Sequence, residues 1–257
     1  MGQARAILAD APPRPLAEEV PVALVYDGTT QAVMMATPAD LEDFAVGFTV
    51  TEGIAAPGDI LELEIVDHGP GREARMWLRP GAAERLARRR RAMAGPVGCG
   101  LCGIDSIGEA LRPAAEVTTD ALRLRACDLR GAAQALRRRQ PLHDATHAVH
   151  AAGLWRPGRG LVLAREDVGR HNALDKLVGA AARGGETGAG AAVVLTSRVS
   201  VEMVQKAAAL GAEAILAVSA PTALAARMAE AAGLTLVAGL KAGPGPAATH
   251  PHRLEGA

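Results

Sequence analysis

Short apolar runs and polar breaks divide the chain into stretches of different period. Val22–Tyr26 and Ala32–Ala36 flank Asp27-Gly28, which predicts a β-hairpin closed by a two-residue turn. A helix is expected next, with Thr37 as N-cap, Pro38 at the first helical position and Asp40 at a capping-box-like spacing. Leu41, Phe44, Ala45 and Phe48 form its apolar face, and Gly53 marks its stop. Ile60–Val66 and Ala74–Leu78 read as a second strand pair around a turn at 68–72. Helix formers fill 82–93 and end in Arg88, Arg89, Arg90 and Arg91. Residues 95–103 hold four glycines and a proline, a density that neither helix nor strand tolerates. A helix is expected over 120–139.

From residue 160 short, continuously apolar strands alternate with amphipathic helices. Strands are predicted at Leu161–Ala164, Ala191–Leu195, Ala214–Val218 and Leu234–Val237. Helices are predicted at Arg170–Arg183, Val201–Leu210 and Pro221–Ala232. This is the pattern of a parallel sheet covered by helices. The expected organisation is a flexible arm (1–18), a smaller β-rich N-terminal part (19–93), a mobile thiol loop (94–108) and an α/β core domain (109–257).

Composition narrows the function classes. Lys plus Arg and Asp plus Glu are each 28, so the net charge is zero and a nucleic-acid coat is disfavoured. The five aromatic residues also argue against base stacking, leaving Ala, Val and Leu to pack the core. No apolar run reaches the ~18 residues of a membrane span, and no signal peptide is legible, so a cytoplasmic protein is expected.

In open parallel sheets ligands bind outside the carboxyl ends of the strands. Those ends here carry Arg165–Asn172, Thr196–Ser200, Ser219–Thr222 and Gly239–Pro246. Helix N-termini rich in Ser, Thr and Gly suit phosphate, although each alone also reads as an ordinary cap. Arg170, Arg198 and Lys241 on the same expected edge favour an anionic ligand. Lys176, Lys206 and Lys241 are the only lysines among 28 basic residues, which fits either selective placement or chance.

Cys99 and Cys102 form a C-x-x-C pair; Cys127 falls in an expected helix and reads as inert core. The pair has three readings. Structural zinc would need two more ligands, for which His147 and His150 are candidates at an unusual spacing. A redox dithiol normally opens a helix, which the flanking glycines disfavour. A swinging nucleophilic thiol carrying a sulfur atom suits those glycines, with the Arg88–Arg91 run available to stabilise the anion. The zinc-deaminase motif and the dinucleotide G-x-G-x-x-G fingerprint are both absent.

Several blocks resemble the FdhD family of formate dehydrogenase accessory proteins. They are Met34–Phe48, Cys99-Gly100-Leu101-Cys102-Gly103, Glu166–Leu177, Thr196–Ala207 and Ser219–Leu224, in order from about residue 18 onward. The resemblance implies a cytidine-deaminase-like three-layer α/β fold with a mostly parallel sheet, no deaminase zinc site, and a homodimer. It implies a sulfurtransferase that accepts persulfide sulfur from a cysteine desulfurase. The sulfur is assigned to Cys99, with Cys102 as its neighbour in the loop. It then passes to the molybdenum of a bis(molybdopterin guanine dinucleotide) cofactor, tungsten in some lineages, before insertion into formate dehydrogenase. Here the cofactor is a bound substrate, and GDP is its expected mimic. Family cofactor contacts near the C-terminus fall on Gly239, Leu240, Lys241, Ala242, Gly243 and Pro244. Arg170, His171, Ser197, Arg198 and Ser219 join them from the strand ends. No bound metal, nucleic acid or membrane partner is expected. A molybdenum-cofactor chaperone without sulfur transfer is the alternative reading. The chain departs from the family where a T-G-G-x-H run becomes Thr146-His147-Ala148-Val149-His150. In the C-terminal block Lys241 keeps one positive charge while an aromatic and an arginine are lost.

Overall fold

The computed structural model describes residues 15–93, 111–241 and 247–255, with the side chains of 88–93 and 247 excepted. Strands β1 (Val20–Tyr26) and β2 (Thr29–Ala36) form the expected hairpin, with Asp27 and Gly28 both at positive φ. Helix α1 (Leu41–Thr51) starts later than the sequence suggests. Its N-cap is Asp40, at φ 53, and not Thr37. Thr37 is committed elsewhere. Its N–H donates to the Asp167 carboxylate (3.0 Å), and its hydroxyl accepts from the Val168 N–H (3.1 Å). Strands β3 (Ile60–Asp67) and β4 (Arg72–Leu78) pair antiparallel, and α2 (Pro80–Met93) follows. The four strands make a sheet in the order β2-β1-β4-β3, with β1 and β4 parallel. Leu24, Tyr26, Phe44, Met76 and Leu86 pack between this sheet and α1 and α2.

The expected helix over 120–139 is shorter. Residues 112–125 form no helix, with an isolated bridge from Leu124 to Leu254, Leu122 and Leu124 buried, and the Leu122 N–H held by the Glu213 carboxylate at 2.7 Å. Helix α3 then covers Ala126–Arg137, and a short helix α4 covers Pro141–Thr146. The second sheet has six strands: β5 (His150–Arg156), β6 (Gly160–Asp167), β7 (Ala192–Leu195), β8 (Ala214–Ala217), β9 (Thr235–Val237) and β10 (Ala247–Thr249). Between them run α5 (Arg170–Arg183), α6 (Val201–Ala209) and α7 (Ala223–Ala231).

The order β10-β9-β8-β7-β5-β6 corrects the expectation of a mostly parallel sheet. Only β7–β8 and β8–β9 are parallel pairs; β5, absent from the sequence reading, enters antiparallel between β6 and β7. It was hidden because its Ala-Ala-Gly-Leu core is short and weakly β-forming. Two antiparallel steps restore direction, so β6, β7, β8 and β9 still end on one edge.

Alternation in β7 shows why the sheet is covered on both sides. Val193 and Leu195 face a core with Leu174, Leu177, Met203 and Leu236. Ala192 and Val194 face Leu129, Leu136, Leu122 and Leu124. The result is three layers, with α3 on one face and α5–α7 on the other.

Candidate functional site

Two glycines let α1 lie directly on α5. A Cβ at Gly47 would sit 1.7 Å from the Asp175 carbonyl oxygen, and one at Gly179 would sit 1.8 Å from that of Asp43. Beside this close backbone contact the polar side chains are fully engaged. Thr51 donates to Asp175 (2.6 Å), and the Lys206 ammonium reaches Asp175 (2.9 Å), Glu52 (2.8 Å) and Thr51 (3.0 Å). Burial works against the Lys206 charge, but Asp175 and Glu52 beside it hold its pKa above the ordinary lysine value.

A second buried knot fixes the end of β6. Lys176 and Asp167 are both fully buried and pair at 2.6 Å. Asp167 also accepts from the N–H groups of Thr37 and Gly169 and from Asn172, and Lys176 donates to the Thr37 carbonyl (3.0 Å). The Glu166–Leu177 block thus contributes Asp167, Asn172, Asp175 and Lys176 to the scaffold. Two of the three lysines, Lys176 and Lys206, are therefore placed by buried pairing.

The remaining members of that block, Arg170 and His171, stand on the edge where β6–β9 end. Beyond β7, Thr196 accepts from the Ala151 N–H at 2.9 Å, Ser197 is buried with its hydroxyl on the Arg198 carbonyl, and Arg198 is exposed. Beyond β8 and β9 the backbone continues in register: Gly239 N–H donates to the Ser219 carbonyl (3.1 Å) and Lys241 N–H to that of Val218 (3.4 Å). The Val199 N–H donates to the Ala220 carbonyl (3.2 Å). These bonds bring Ser197, Arg198, Ser219, Gly239, Leu240 and Lys241 together, and the strand directions set Arg170 and His171, which follow β6, on the same edge. Gly239 has φ 76, a conformation that suits glycine. Cys99, Cys102, Ala242, Gly243 and Pro244 lie outside the described residues, as does the 94–108 loop.

Among the described residues, the side chains of Arg170, Arg198 and Lys241 make no hydrogen bond or ion pair. Elsewhere the arginines are mostly engaged, as Arg165 and Arg183 are with Asp43. Helix α5 begins with Gly169 as N-cap and no side-chain cap, and the Ser200 hydroxyl at the start of α6 donates to Glu202 (2.7 Å) instead of capping. Thr222, by contrast, is an ordinary N-cap, accepting from the Ala225 N–H. The edge therefore combines unpaired cations with the uncapped start of α5, a setting for an anion such as phosphate, while the Glu202 carboxylate occupies the first turn of α6.

Four histidines gather near this edge, of which His143 was not named from the sequence. The carboxylate of Glu166 accepts from the Leu142 and His143 N–H groups and ties α4 to the edge. His143 and His147 have ring centroids 5.0 Å apart, and His150 Nδ1 lies 3.5 Å from the Thr196 hydroxyl. Buried ring nitrogens without a hydrogen-bond partner among the described residues occur at His143 (Nδ1), at His171 (Nε2) and, at the far end of β5, at Trp155 (Nε1). Burial, then the Arg170 charge, then His143 push the His150 pKa below the usual histidine value. Burial and Arg170 do the same to His171, against the opposing Glu202 carboxylate at 3.7 Å. The placement of His150 at this edge required β5, which sets it opposite Asp167 and beside the β7 terminus.

One other sequence expectation changes. Cys127 is exposed near the start of α3, not core, because the apolar face of that helix is carried by Leu129, Ala132 and Leu136. The described residues contain no group of three or more metal-ligating side chains, so His147 and His150 belong to no such cluster there. A cleft of about 530 Å³ lined by Val46, Ile60, Leu63 and Arg183 lies at the opposite end of α5 from this edge. No described helix is long and apolar enough to cross a membrane.

Comparison with known proteins places this arrangement. The chain is 51% identical over 226 residues to a sulfur carrier protein FdhD from Agrobacterium fabrum, covering 88% of this chain and 83% of that one. It is 49% identical over 244 residues to a sulfur carrier protein FdhD from Cupriavidus necator, covering 95% and 84%. A crystal structure of a protein from Desulfotalea psychrophila, described as a formate dehydrogenase accessory protein, superposes with a TM-score of 0.70 at 27% identity over 93% of this chain and 90% of that one. The family model described as the FdhD/NarQ family matches residues 17–255, and the chain belongs to that family.

Proposed function

We propose that this chain is a sulfurtransferase, a sulfur carrier that serves the maturation of formate dehydrogenase. The observation that carries the reading is the ~50% identity to sulfur carrier proteins over most of the chain, together with the C-G-L-C-G loop within the matched span. The thiolate of Cys99 attacks the outer sulfur of a cysteine desulfurase persulfide. A new S–S bond forms on Cys99, the donor S–S bond breaks, and the donor cysteine leaves as thiolate. No external oxidant or reductant enters this exchange. Cys102 stands three residues away as the second thiol of the loop.

The sulfur is then delivered to the molybdenum of a bis(molybdopterin guanine dinucleotide), handled as a cargo: the Cys102 thiolate attacks the inner sulfur of the Cys99 persulfide, hydrosulfide leaves for the metal, and the resulting Cys99–Cys102 disulfide is reopened by a thiol reductant. The cargo's diphosphates are anions, and the unpaired Arg170, Arg198 and Lys241 with the strand-end backbone are the groups suited to hold them. GDP serves as the mimic of one arm. A cytoplasmic homodimer would present two such edges to a cargo with two guanine dinucleotide arms. The alternative, a cofactor chaperone without sulfur transfer, is favoured by the fact that these cations suit the cargo whatever the thiols do.

Incubation with a cysteine desulfurase and cysteine, followed by assay of cyanolysable sulfur, separates the two. The carrier acquires sulfane sulfur and Cys99→Ser does not. A wild-type protein that binds GDP yet never acquires sulfane sulfur is the chaperone.

A further inference from the structure

We propose that Arg112 is a positioning residue for sulfur delivery, pinning the chain downstream of the two thiols to the end of α1 that lies at the cation-bearing edge. The proposal rests on the reading of Cys99 and Cys102 as the sulfur-carrying thiols, and adds what sets their distance from the cargo.

Helix α1 ends in a way that calls for a donor from elsewhere. The Ile54 N–H returns to the Thr49 carbonyl (2.9 Å) and the Gly53 N–H to that of Val50 (3.0 Å), with Gly53 at φ 64, which is a Schellman ending. The next two N–H groups turn elsewhere, Ala55 to the Thr49 carbonyl and Ala56 to the Asp59 carboxylate. The Thr51 and Glu52 carbonyls are thus left without a backbone donor, and the last turn of α1 holds no basic residue. Arg112 meets both needs from 60 positions away: Nη1 donates to the Glu52 carbonyl and Nη2 to that of Thr51, each at 3.2 Å. One guanidinium satisfies two orphan acceptors and faces the negative end of the helix dipole. The backbone of Arg112 is held too, because the buried Gln205 side chain of α6 donates to its carbonyl at 2.6 Å. Pro113 follows and biases Arg112 away from helix.

The packing of α1 on α5 says which end of the molecule this is. The two helices run antiparallel, Gly47 against Asp175 and Gly179 against Asp43, so Thr51 and Glu52 lie toward the start of α5, where Arg170 stands. Gln205 is in the second turn of α6, which also starts at the edge. The next hydrogen bond along the chain, from the Val117 N–H to the Ala232 carbonyl (2.9 Å), is at the other end. Ala232 closes α7, which begins at the edge and is about 13 Å long. Cys102 is ten residues before Arg112 and fifteen before Val117. Loss of the anchor therefore lengthens the downstream tether by half and moves its attachment to the far side, while the upstream attachment at α2 is unchanged. Effective concentration falls as roughly the −3/2 power of tether length, about twofold here before the displaced attachment is added.

The test measures that concentration. In the full chain with Cys99→Ser and Cys127→Ser, Cys102 is the only native thiol left. Ser219→Cys adds a partner at the edge, and Ala231→Cys, in a second protein, adds one at the far end of α7. The ratio of intramolecular disulfide to reduced protein in a glutathione redox buffer gives each effective concentration. Arg112→Ala should lower the value at position 219 at least twofold and leave that at position 231 unchanged or raised. Arg112→Lys, which keeps a donor for the carbonyls, should recover part of the loss. An unchanged value at 219, or an equal fall at both positions, would overturn the proposal. With the native cysteines in place, Arg112→Ala should slow passage of sulfur to the cofactor more than its loading onto Cys99; equal slowing of both steps would also count against the positioning role. A wild type that acquires no cyanolysable sulfur would defeat the sulfur-carrier reading and not the anchor, because the disulfide equilibrium uses no sulfur donor.

Discussion

Replacing Lys176 by Met tests the claim that much of the Glu166–Leu177 block is scaffold. In the native protein the ammonium sits 2.6 Å from Asp167, with both groups at 0% exposure, and also donates to the Thr37 carbonyl. Lys176→Met removes the cation and leaves Asp167 buried. Breaking such a pair from one side costs about 3–5 kcal/mol. Three donors remain on Asp167, from the Thr37 and Gly169 N–H groups and the Asn172 amide, so the lower end, about 3 kcal/mol, is expected. That is a large share of a total stability of roughly 5–15 kcal/mol. With a urea m-value of about 3 kcal/mol/M for a chain of this length, the midpoint should fall by about 1 M. The double variant Asp167→Asn/Lys176→Met removes the uncompensated charge and should recover part of the loss. Urea unfolding followed by far-UV circular dichroism measures both. A single variant within about 0.5 kcal/mol of wild type, or a double variant worse than the sum of the singles, would refute the reasoning.

Four further outcomes follow from the same structure. Gly179→Ala forces a methyl group against the Asp43 carbonyl and should destabilise by at least about 2–3 kcal/mol, read as a lowered Tm. His150 and His171 have pKa values below their unfolded values, so the unfolded chain binds more protons. Their contribution to stability is present above about pH 6.5 and is lost as pH falls through the lower folded values; His150→Gln/His171→Gln should flatten that acid limb in pH-dependent melting. Arg198→Ala should weaken GDP binding and reduce its salt dependence, because the guanidinium is exposed and unpaired among the described residues. Cys127 is exposed and should alkylate readily, while Cys127→Ser keeps full sulfane loading.

The sequence announced most of the elements, because apolar runs of the right length bounded by glycine and proline are local signals. Arg170–Arg183 was legible to the residue, and β7–β9 to within a residue or two. The shared edge was legible as well, although the reason offered, a parallel sheet, was incomplete. What failed depended on pairing across long separations. Strand β5 has little β propensity of its own and is held by Ala152 against Leu195 and Arg165. Thr37 looked like a cap because Thr-Pro is a cap signal, yet its N–H and hydroxyl are taken by β6 and the residue after it, 130 positions later. Cys127 looked buried because cysteine usually is, but the amphipathic phase of α3 turns it outward. The family block at 166–177 mixes two roles that no single sequence separates. Burial assigns Asp167, Asn172, Asp175 and Lys176 to the scaffold and leaves Arg170 and His171 at the edge.

The central claim is that sulfur travels through Cys99 to the cargo. The most direct measurement uses sulfur-labelled cysteine with a desulfurase, this protein and the unsulfurated molybdenum cofactor, followed by recovery of the cofactor in formate dehydrogenase. The label should appear transiently on Cys99 as a persulfide and then on the cofactor, and Cys99→Ser should block both while still binding GDP. Label reaching the cofactor at the wild-type rate through Cys99→Ser would contradict the account.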